Sequence, residues 1–389
     1  MHAGRIVFAQ VIDHLPRHEF NKCVARYKGD RKFRGFSCLD QFLCLAFAQL
    51  TYRESLRDIE ACLRSAGPKL YHMGFRGKVS RSTLADANES HDWRIYADLA
   101  RVLIGIARPM YASEDLGLEL DNTVYALDST TIDLCLSMFP WARHTQSTSA
   151  IKMHTLLDVR GAISTFIEVS GAKQPDVTAM DSIVPEAGAF YVMDRGYLDF
   201  ARLHTLHQAG AFFVTRLKKG VRYRRTRSRP VDLDNGLRSD QTVVLTTGQS
   251  LQNYPEALRR IRFYDAIKKA PLVFLTNNFT LPPLTVCLLY KLRWQVELFF
   301  KWIKQHLRIK AFYGINENAV KTQIWVAVAV YALVAILRKR LALDASLYEI
   351  LQVLSVNLFE QTPLLQAFQR DDPPEKFDRF SNQLILPDL

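Results

Sequence analysis

The chain has 389 residues, 48% hydrophobic and 23% charged, a balance that excludes wholesale disorder and collagen-like repeats. Lys and Arg number 51 against 39 Asp and Glu, a formal net charge of +12. Such a surplus favours a polyanionic partner, nucleic acid or an acidic membrane surface, and the length corresponds to roughly two or three domains.

Residues 1–115 read as helical. Leu39–Leu50 is an apolar helix, Ser55–Ser65 repeats apolar residues near helical spacing, and Trp93–Ile106 forms another helix. Between them lies a basic turn, Gly74-Phe75-Arg76-Gly77-Lys78-Val79, after which Ser80 caps a short helix. Short helices around a basic turn resemble a helix-turn-helix DNA-binding unit. From Asn122 the texture becomes β-rich. Strands are predicted at 123–128, 152–158, 162–169, 190–193 and 211–215, with helices capped by Asp176 and running 199–208. The order β-β-β-α-β-α-β is that of an RNase H-like fold, a mixed five-stranded sheet with flanking helices. Residues 216–282 read as a β-rich insertion with a basic face and an Asn235-Gly236 hairpin turn. A long helix is predicted from Pro283 to about Leu307, and residues 346–389 form a helical tail. The expected units are therefore 1–115, a catalytic domain 116–345 interrupted at 216–282, and the tail.

Ile324–Leu337 is the longest apolar run, fourteen residues, where a membrane span needs about 20; it reads as a buried core helix, and no membrane partner is expected. The six cysteines, Cys23, Cys38, Cys44, Cys62, Cys135 and Cys287, contain no CxxC pair, and no charged-then-apolar leader opens the chain. Both features point to a reduced, intracellular protein. There is no GxSxG, P-loop, HExxH or dinucleotide fingerprint, and no small-molecule substrate is expected. His144 and His154 have no partners at zinc-ligand spacing.

The segment Tyr290–Lys304 carries the strongest chemical signal. At about 100° per residue, with Glu297 at zero, Arg293 falls near −40°, Tyr290 near +20°, Lys301 near +40° and Lys304 near −20°. The remaining circumference is apolar, so this stripe lines a cleft or meets a ligand. The bland alternative is a ladder of i,i+4 ion pairs on a solvated face. Asp128 and Asp194 each close an apolar β run, where a carboxylate needs a positive partner. Magnesium or manganese suits that role, and two such acids facing Glu297 would hold two metals about 4 Å apart. The alternative is that each Asp merely caps a turn. Ser129, Thr130 and Thr131 read as backbone hydrogen-bonders rather than nucleophiles. Arg216–Arg229 holds eight basic residues and no acid; it reads as a DNA-backbone contact acting through counterion release, or as a solvated charged loop.

Together these residues resemble a bacterial insertion-sequence transposase of the DDE type, in the branch with a Tyr-x2-Arg-x3-Glu-x6-Lys signature (the insertion-sequence-four family). The signature stands complete as Tyr290, Arg293, Glu297 and Lys304, and the acids match in "YALDSTTIDL" and "YVMDRGYLDF". The resemblance covers nearly the whole chain. It implies that Asp128, Asp194 and Glu297 ligate two Mg²⁺ ions, with Mn²⁺ able to substitute. It further implies nicking at the element's ends, attack of the freed 3′-hydroxyl to form a hairpin, and joining to target DNA by cut-and-paste. Tyr290, Arg293 and Lys304, with Lys301, would grip phosphate. Arg195 and Tyr197, and the basic residues Arg216, Lys218, Lys219, Arg222, Arg224 and Arg225, would contact double-stranded DNA. A homodimer on DNA and a cytoplasmic, nucleoid-associated location follow from the same resemblance. One departure stands out. Better-known relatives hold a flipped base with a tryptophan in the insertion, yet Trp93, Trp141, Trp294, Trp302 and Trp325 all lie outside 216–282, which leaves Tyr223, Tyr254, Phe263 or Tyr264 to stack on a base instead.

Overall fold

A computed structural model describes residues 4–31, 35–145, 147–267, 269–306 and 312–368. The last part of the expected tail, 369–389, and the predicted helix end at Leu307 lie outside them. The chain opens with α1 (Val7–Ile12), α2 (Arg17–Arg26), α3 (Cys38–Leu50), α4 (Leu56–Ala66), α5 (Lys69–His72), α6 (Arg81–Ser90) and α7 (Arg94–Tyr111). Their starts follow local chemistry. Ser37 and Asp40 form a reciprocal capping box on α3, while Ser55 and Ser80 accept from the third backbone N–H of α4 and α6. Each such cap contributes about 1 kcal/mol.

There follow β1 (Val124–Leu134), β2 (Ser149–Asp158), β3 (Ile163–Gly171), β4 (Phe190–Met193), α8 (Phe200–Gln208), β5 (Phe212–Arg216), β6 (Tyr223–Arg229), β7 (Leu237–Leu245), α9 (Gly248–Asn253), β8 (Leu258–Asp265) and β9 (Ala270–Thr276). The last helices are α10 (Pro283–Leu292), α11 (Trp294–His306), α12 (Glu317–Arg340) and α13 (Leu347–Asn357).

These strands form one nine-stranded sheet in the order β3-β2-β1-β4-β5-β9-β8-β7-β6. The first five have the mixed arrangement expected of that region: β1, β2 and β3 pair antiparallel, while β1, β4 and β5 run parallel. The residues after β5 do not form a separate β unit. β9 pairs antiparallel with β5, and β8, β7 and β6 extend the same sheet outward. The basic run is the outermost strand, where exposed arginines blunt an otherwise sticky edge. The seven-residue Asp176–Ser182 segment is a 3₁₀ helix begun by Pro175, and Asp176 makes no cap there; its carboxylate is used elsewhere.

The boundary near residue 115 divides helix from strand but does not divide the core. One contiguous apolar cluster joins the N-terminal helices, α12 and one face of the sheet. α12 has a mean hydropathy of 1.9 over its most apolar window, and 94% of that window is buried inside the molecule. It is apolar all round because the N-terminal helices wrap it. The Tyr111 hydroxyl donates to Ala335 O at 2.9 Å. Tail and start also meet: Val7 N donates to Glu360 O at 2.9 Å and Phe8 N to Leu358 O at 3.1 Å.

Candidate active site

β1 and β4 run in parallel register from Val124↔Phe190 to Leu127↔Met193. The next residue on each is an aspartate, so Asp128 and Asp194 emerge side by side at the carboxyl end of the parallel ladder, where open α/β sheets bind ligands. Asp194 follows the last residue of β4, as expected. Asp128 does not end its strand. β1 continues to Leu134, paired with β2, and Asp128 marks the point where β4 departs. Asp194 accepts from Gly196 N–H at 2.5 Å. A Cβ at Gly196 would lie 2.8 Å from that same carboxylate oxygen, so a larger residue there would displace the Asp194 side chain.

The third acid arrives on a helix. The predicted single helix after Pro283 is two, α10 and α11, linked at Arg293, which keeps right-handed helical dihedrals (φ −52°, ψ −28°). Arg293 and Glu297, at i,i+4 spacing, still meet just past the junction. Val296, Phe299, Phe300, Trp302 and Ile303 are buried, and their packing holds the other side of α11 towards solvent. Arg293 is 15% exposed; its Nη1 donates to Asp128 Oδ2 and its Nη2 to Glu297 Oε1, each at 2.5 Å. Tyr290 lies beside Phe274 with ring centroids 4.8 Å apart, and the Arg293 guanidinium sits 5.7 Å from the Tyr290 ring. Lys304 Nζ donates to Thr131 O at 2.6 Å. Asp128, Ser129, Thr130, Glu297, Phe300, Lys301 and Lys304 line a cleft of about 460 Å³.

Burial dominates the electrostatics at Asp128. Burial pushes the Asp128 carboxyl up to about 6; Arg293 and the Ser129 N–H pull it down, while Asp194 and Glu297 push it up again. For Arg293, burial lowers the pKa, but Asp128, Tyr290 and Glu297 together raise it further, so the guanidinium stays charged. The donor set is carboxylate oxygen only, which suits hard divalent cations. Among the described residues, the set with three ligand atoms within 4.8 Å of one another is Asp30, Cys38 and His91. The three acids of the cleft stand wider, around Arg293.

Other expected contacts fall in different places. Arg195 is exposed directly after Asp194. Tyr197 is not available to DNA: it is 1% exposed, packed into the apolar cluster on the opposite sheet face. Arg216, at the end of β5, comes close enough to Tyr290 to lower its pKa against the larger rise due to burial. Lys218, Lys219, Arg222, Arg224 and Arg225 are exposed on the β5–β6 connection and on β6. β6 lies four strand spacings from β5, about 19 Å. Two features were hidden in the sequence. Trp294 is 50% exposed beside Arg293, outside the 216–282 segment where a base-holding tryptophan is expected. Asp176 accepts from Ser129 Oγ at 2.7 Å, a contact masked by its likeness to a helix cap.

A mixed α/β sheet carrying adjacent acids at its parallel strand ends, with a helix-borne glutamate beside them, defines a class of enzyme acting on DNA. The Transposase DDE domain model matches residues 119–333, and a Domain of unknown function (DUF4372) model matches 3–76. The chain belongs to the DDE transposase family of bacterial insertion sequences. It is 30% identical over 298 residues to the Putative transposase y4zB of Sinorhizobium fredii, covering 75% of this chain and 80% of that one. It is 27% identical over 219 residues to the Probable transposase for insertion sequence element IS5377 of Geobacillus stearothermophilus, covering 56% and 57%. A cryo-EM structure of the piggyBac transposase synaptic complex with hairpin DNA aligns with a TM-score of 0.45 at 10% identity, over 94% of this chain and 84% of that one.

Proposed function

We propose that this transposase binds the terminal inverted repeats of its insertion sequence and moves the element by cut-and-paste, through a hairpin intermediate. The five strands β1–β5 would form an RNase H-like catalytic core, and the helices of residues 1–115 would contribute DNA binding. Asp128, Asp194 and Glu297 would hold two Mg²⁺ ions, with Mn²⁺ as a substitute. When bound, divalent cations neutralise phosphate charge and lower the pKa of an attacking water or 3′-hydroxyl.

The chain's own residues do the positioning. Tyr290, Arg293, Lys301 and Lys304 hold the scissile phosphate over the acids; Arg suits this because its planar fork donates two hydrogen bonds at once. Water adds to phosphorus and the strand's 3′ oxygen leaves as a hydroxyl. That hydroxyl then displaces a 3′ oxygen on the opposite strand, closing a hairpin. Trp294, half exposed beside Arg293, offers the ring on which a displaced base stacks. Arg195, Arg216, Lys218, Lys219, Arg222, Arg224 and Arg225 contact the DNA backbone. The working species is a homodimer with both ends bound, in the bacterial cytoplasm on the nucleoid.

The observation that carries this reading is the Arg293 bridge between Asp128 and Glu297, with Asp194 on the adjoining strand. Its test is Mg²⁺-dependent nicking of a labelled terminal-repeat duplex. Single Ala replacements of Asp128, Asp194 and Glu297 abolish nicking while the repeat is still bound. Retained cutting in any of the three rejects the assignment. Tight binding by the wild type with no nicking points instead to a repressor.

A further inference from the structure

Beyond the pair Leu127↔Met193, β1 is hydrogen-bonded as a strand to β2 alone, because β4 has ended. The first residues past that point are Asp128 and Ser129, so an acid sits where the ladder is open on one side. Side chains take over there. Ser129 lies across from His154 and Thr131 across from Lys152, which places Ser129 and Lys152 on the sheet face opposite to Asp128. On that face Ser129 Oγ donates to Asp176 Oδ1 at 2.7 Å, and Lys152 Nζ lies 3.0 Å from the same oxygen. Lys152 also donates to Gln174 O at 3.1 Å. Burial raises the Asp176 pKa, but Ser129 and Lys152 outweigh it and leave the carboxyl below its ordinary value. Asp176 is thus an ionised anchor tied to β1 and β2 at once.

Tyr197 completes the arrangement. It follows Asp194 by one short turn, and among the described residues its buried hydroxyl has no partner in hydrogen-bonding geometry. The polar groups around it are Asp128, Ser129, Asp176 and Asp194. Burial and the nearby carboxylates raise its pKa, outweighing the lowering by Ser129, so the phenol remains a neutral O–H able to donate. A buried donor without a bond is seldom left so in a native fold.

We propose that Asp176, clamped by Lys152, and Tyr197 are positioning residues for Asp128 and Asp194, bracing the strand end that β4 no longer supports. This rests on reading the two acids as cation ligands. Asp176 acts through Ser129 on the backbone beside Asp128. Tyr197 acts from the same face as Ser129, filling the space beneath the two acids and offering its O–H to the open strand end. Groups that orient metal-ligating carboxylates in this way typically change cation affinity about 10–100-fold when removed.

The test uses the full chain without DNA and Mn²⁺ alone as probe, its free concentration followed by electron paramagnetic resonance. Metal-free thermal unfolding and repeat binding without divalent ions are measured alongside. Wild type binds Mn²⁺ and D128A does not; if wild type itself fails to bind, the parent reading falls and this proposal with it. With that control met, S129A, D176A and Y197F each weaken Mn²⁺ binding about 10-fold. They keep the wild-type unfolding midpoint and repeat affinity. S129T retains Mn²⁺ binding, and S129A combined with D176A is no worse than either alone, because the two act along one path. If D176A fails to fold, S129A and Y197F decide, since each removes a single hydroxyl. Wild-type Mn²⁺ affinity in both overturns the proposal and leaves the parent reading standing.

Discussion

The guanidinium of Arg293 is bound to Asp128 across the cleft at 2.5 Å, while its other terminal nitrogen holds Glu297. One planar cation therefore neutralises acids from a strand and a helix, and among the described residues its Nε has no hydrogen-bond partner. Divalent cations competing for the same carboxylates would release the fork to phosphate. A lysine is a point charge and cannot span both acids. Arg293→Lys is expected to lower the nicking rate about 10-fold or more, with repeat binding little changed. A variant that nicks at the wild-type rate contradicts this role.

The burial of Asp128 predicts a pH effect on stability. Asp128 titrates at about 6 in the fold, above the ordinary carboxylate value, because burial outweighs Arg293. Between roughly pH 4 and 6 the folded state keeps a proton that the unfolded chain has released, so stability falls as pH rises through that window and stays lower above it. Asp128→Asn carries no such charge. In metal-free buffer at about pH 7.5 it is expected to unfold about 2 °C or more above wild type, with the gap closing near pH 4. Mg²⁺ added at the same pH raises the wild-type midpoint and leaves the variant's unchanged. A gap independent of pH counts against the assignment.

The arginines of β6 predict a salt signature. Replacing Arg224, Arg225 and Arg227 together with Ala removes three exposed charges from the sheet edge. The slope of log affinity against log salt is expected to become shallower by about 0.9 for each phosphate no longer neutralised. Nicking of the bound complex should stay near wild type, since β6 is the strand farthest from β5 on that side. An unchanged slope would show a solvated edge rather than a DNA-binding one.

Trp294 separates two chemical steps. Its indole is half exposed beside Arg293, and aromatic stacking on a base is worth about 1–3 kcal/mol. Trp294→Ala is expected to nick the first strand normally and to form hairpin about 10-fold more slowly, while Trp294→Phe retains most of the second step. Equal slowing of both steps would assign Trp294 to general packing instead.

Asn318 predicts how the molecule unfolds. From the first turn of α12 its Nδ2 donates to Asn88 O at 2.9 Å and His91 O at 2.7 Å, and its Oδ1 accepts from Trp93 N at 3.2 Å. Asn318→Ala leaves these backbone groups unmet, at about 1–3 kcal/mol. A single thermal transition, shifted down, is expected, because the apolar core is continuous from α3 through α12 to the sheet. Two separate transitions would mean that residues 1–115 unfold independently.

Local sequence determined the elements and the family. β4 was legible as Phe190–Met193 because a short apolar β run closes on an aspartate; the caps at Ser55 and Ser80 were legible because a hydroxyl before a helix has one short-range use. The signature Tyr290, Arg293, Glu297 and Lys304 was legible because helical periodicity is itself local. Tertiary structure decided the rest. Only packing joins β9 to β5, so that the residues after 216 extend the sheet rather than leave it. Only burial separates Arg195, which faces solvent, from Tyr197 two residues later, which does not. Asp176 chose Ser129 over a helix end because a carboxylate paired with the half-buried Lys152 gains more from a charged hydrogen bond there than from a cap in water. Propensity and spacing act within a few residues, whereas charge, burial and strand partnership depend on groups that only the folded chain brings together.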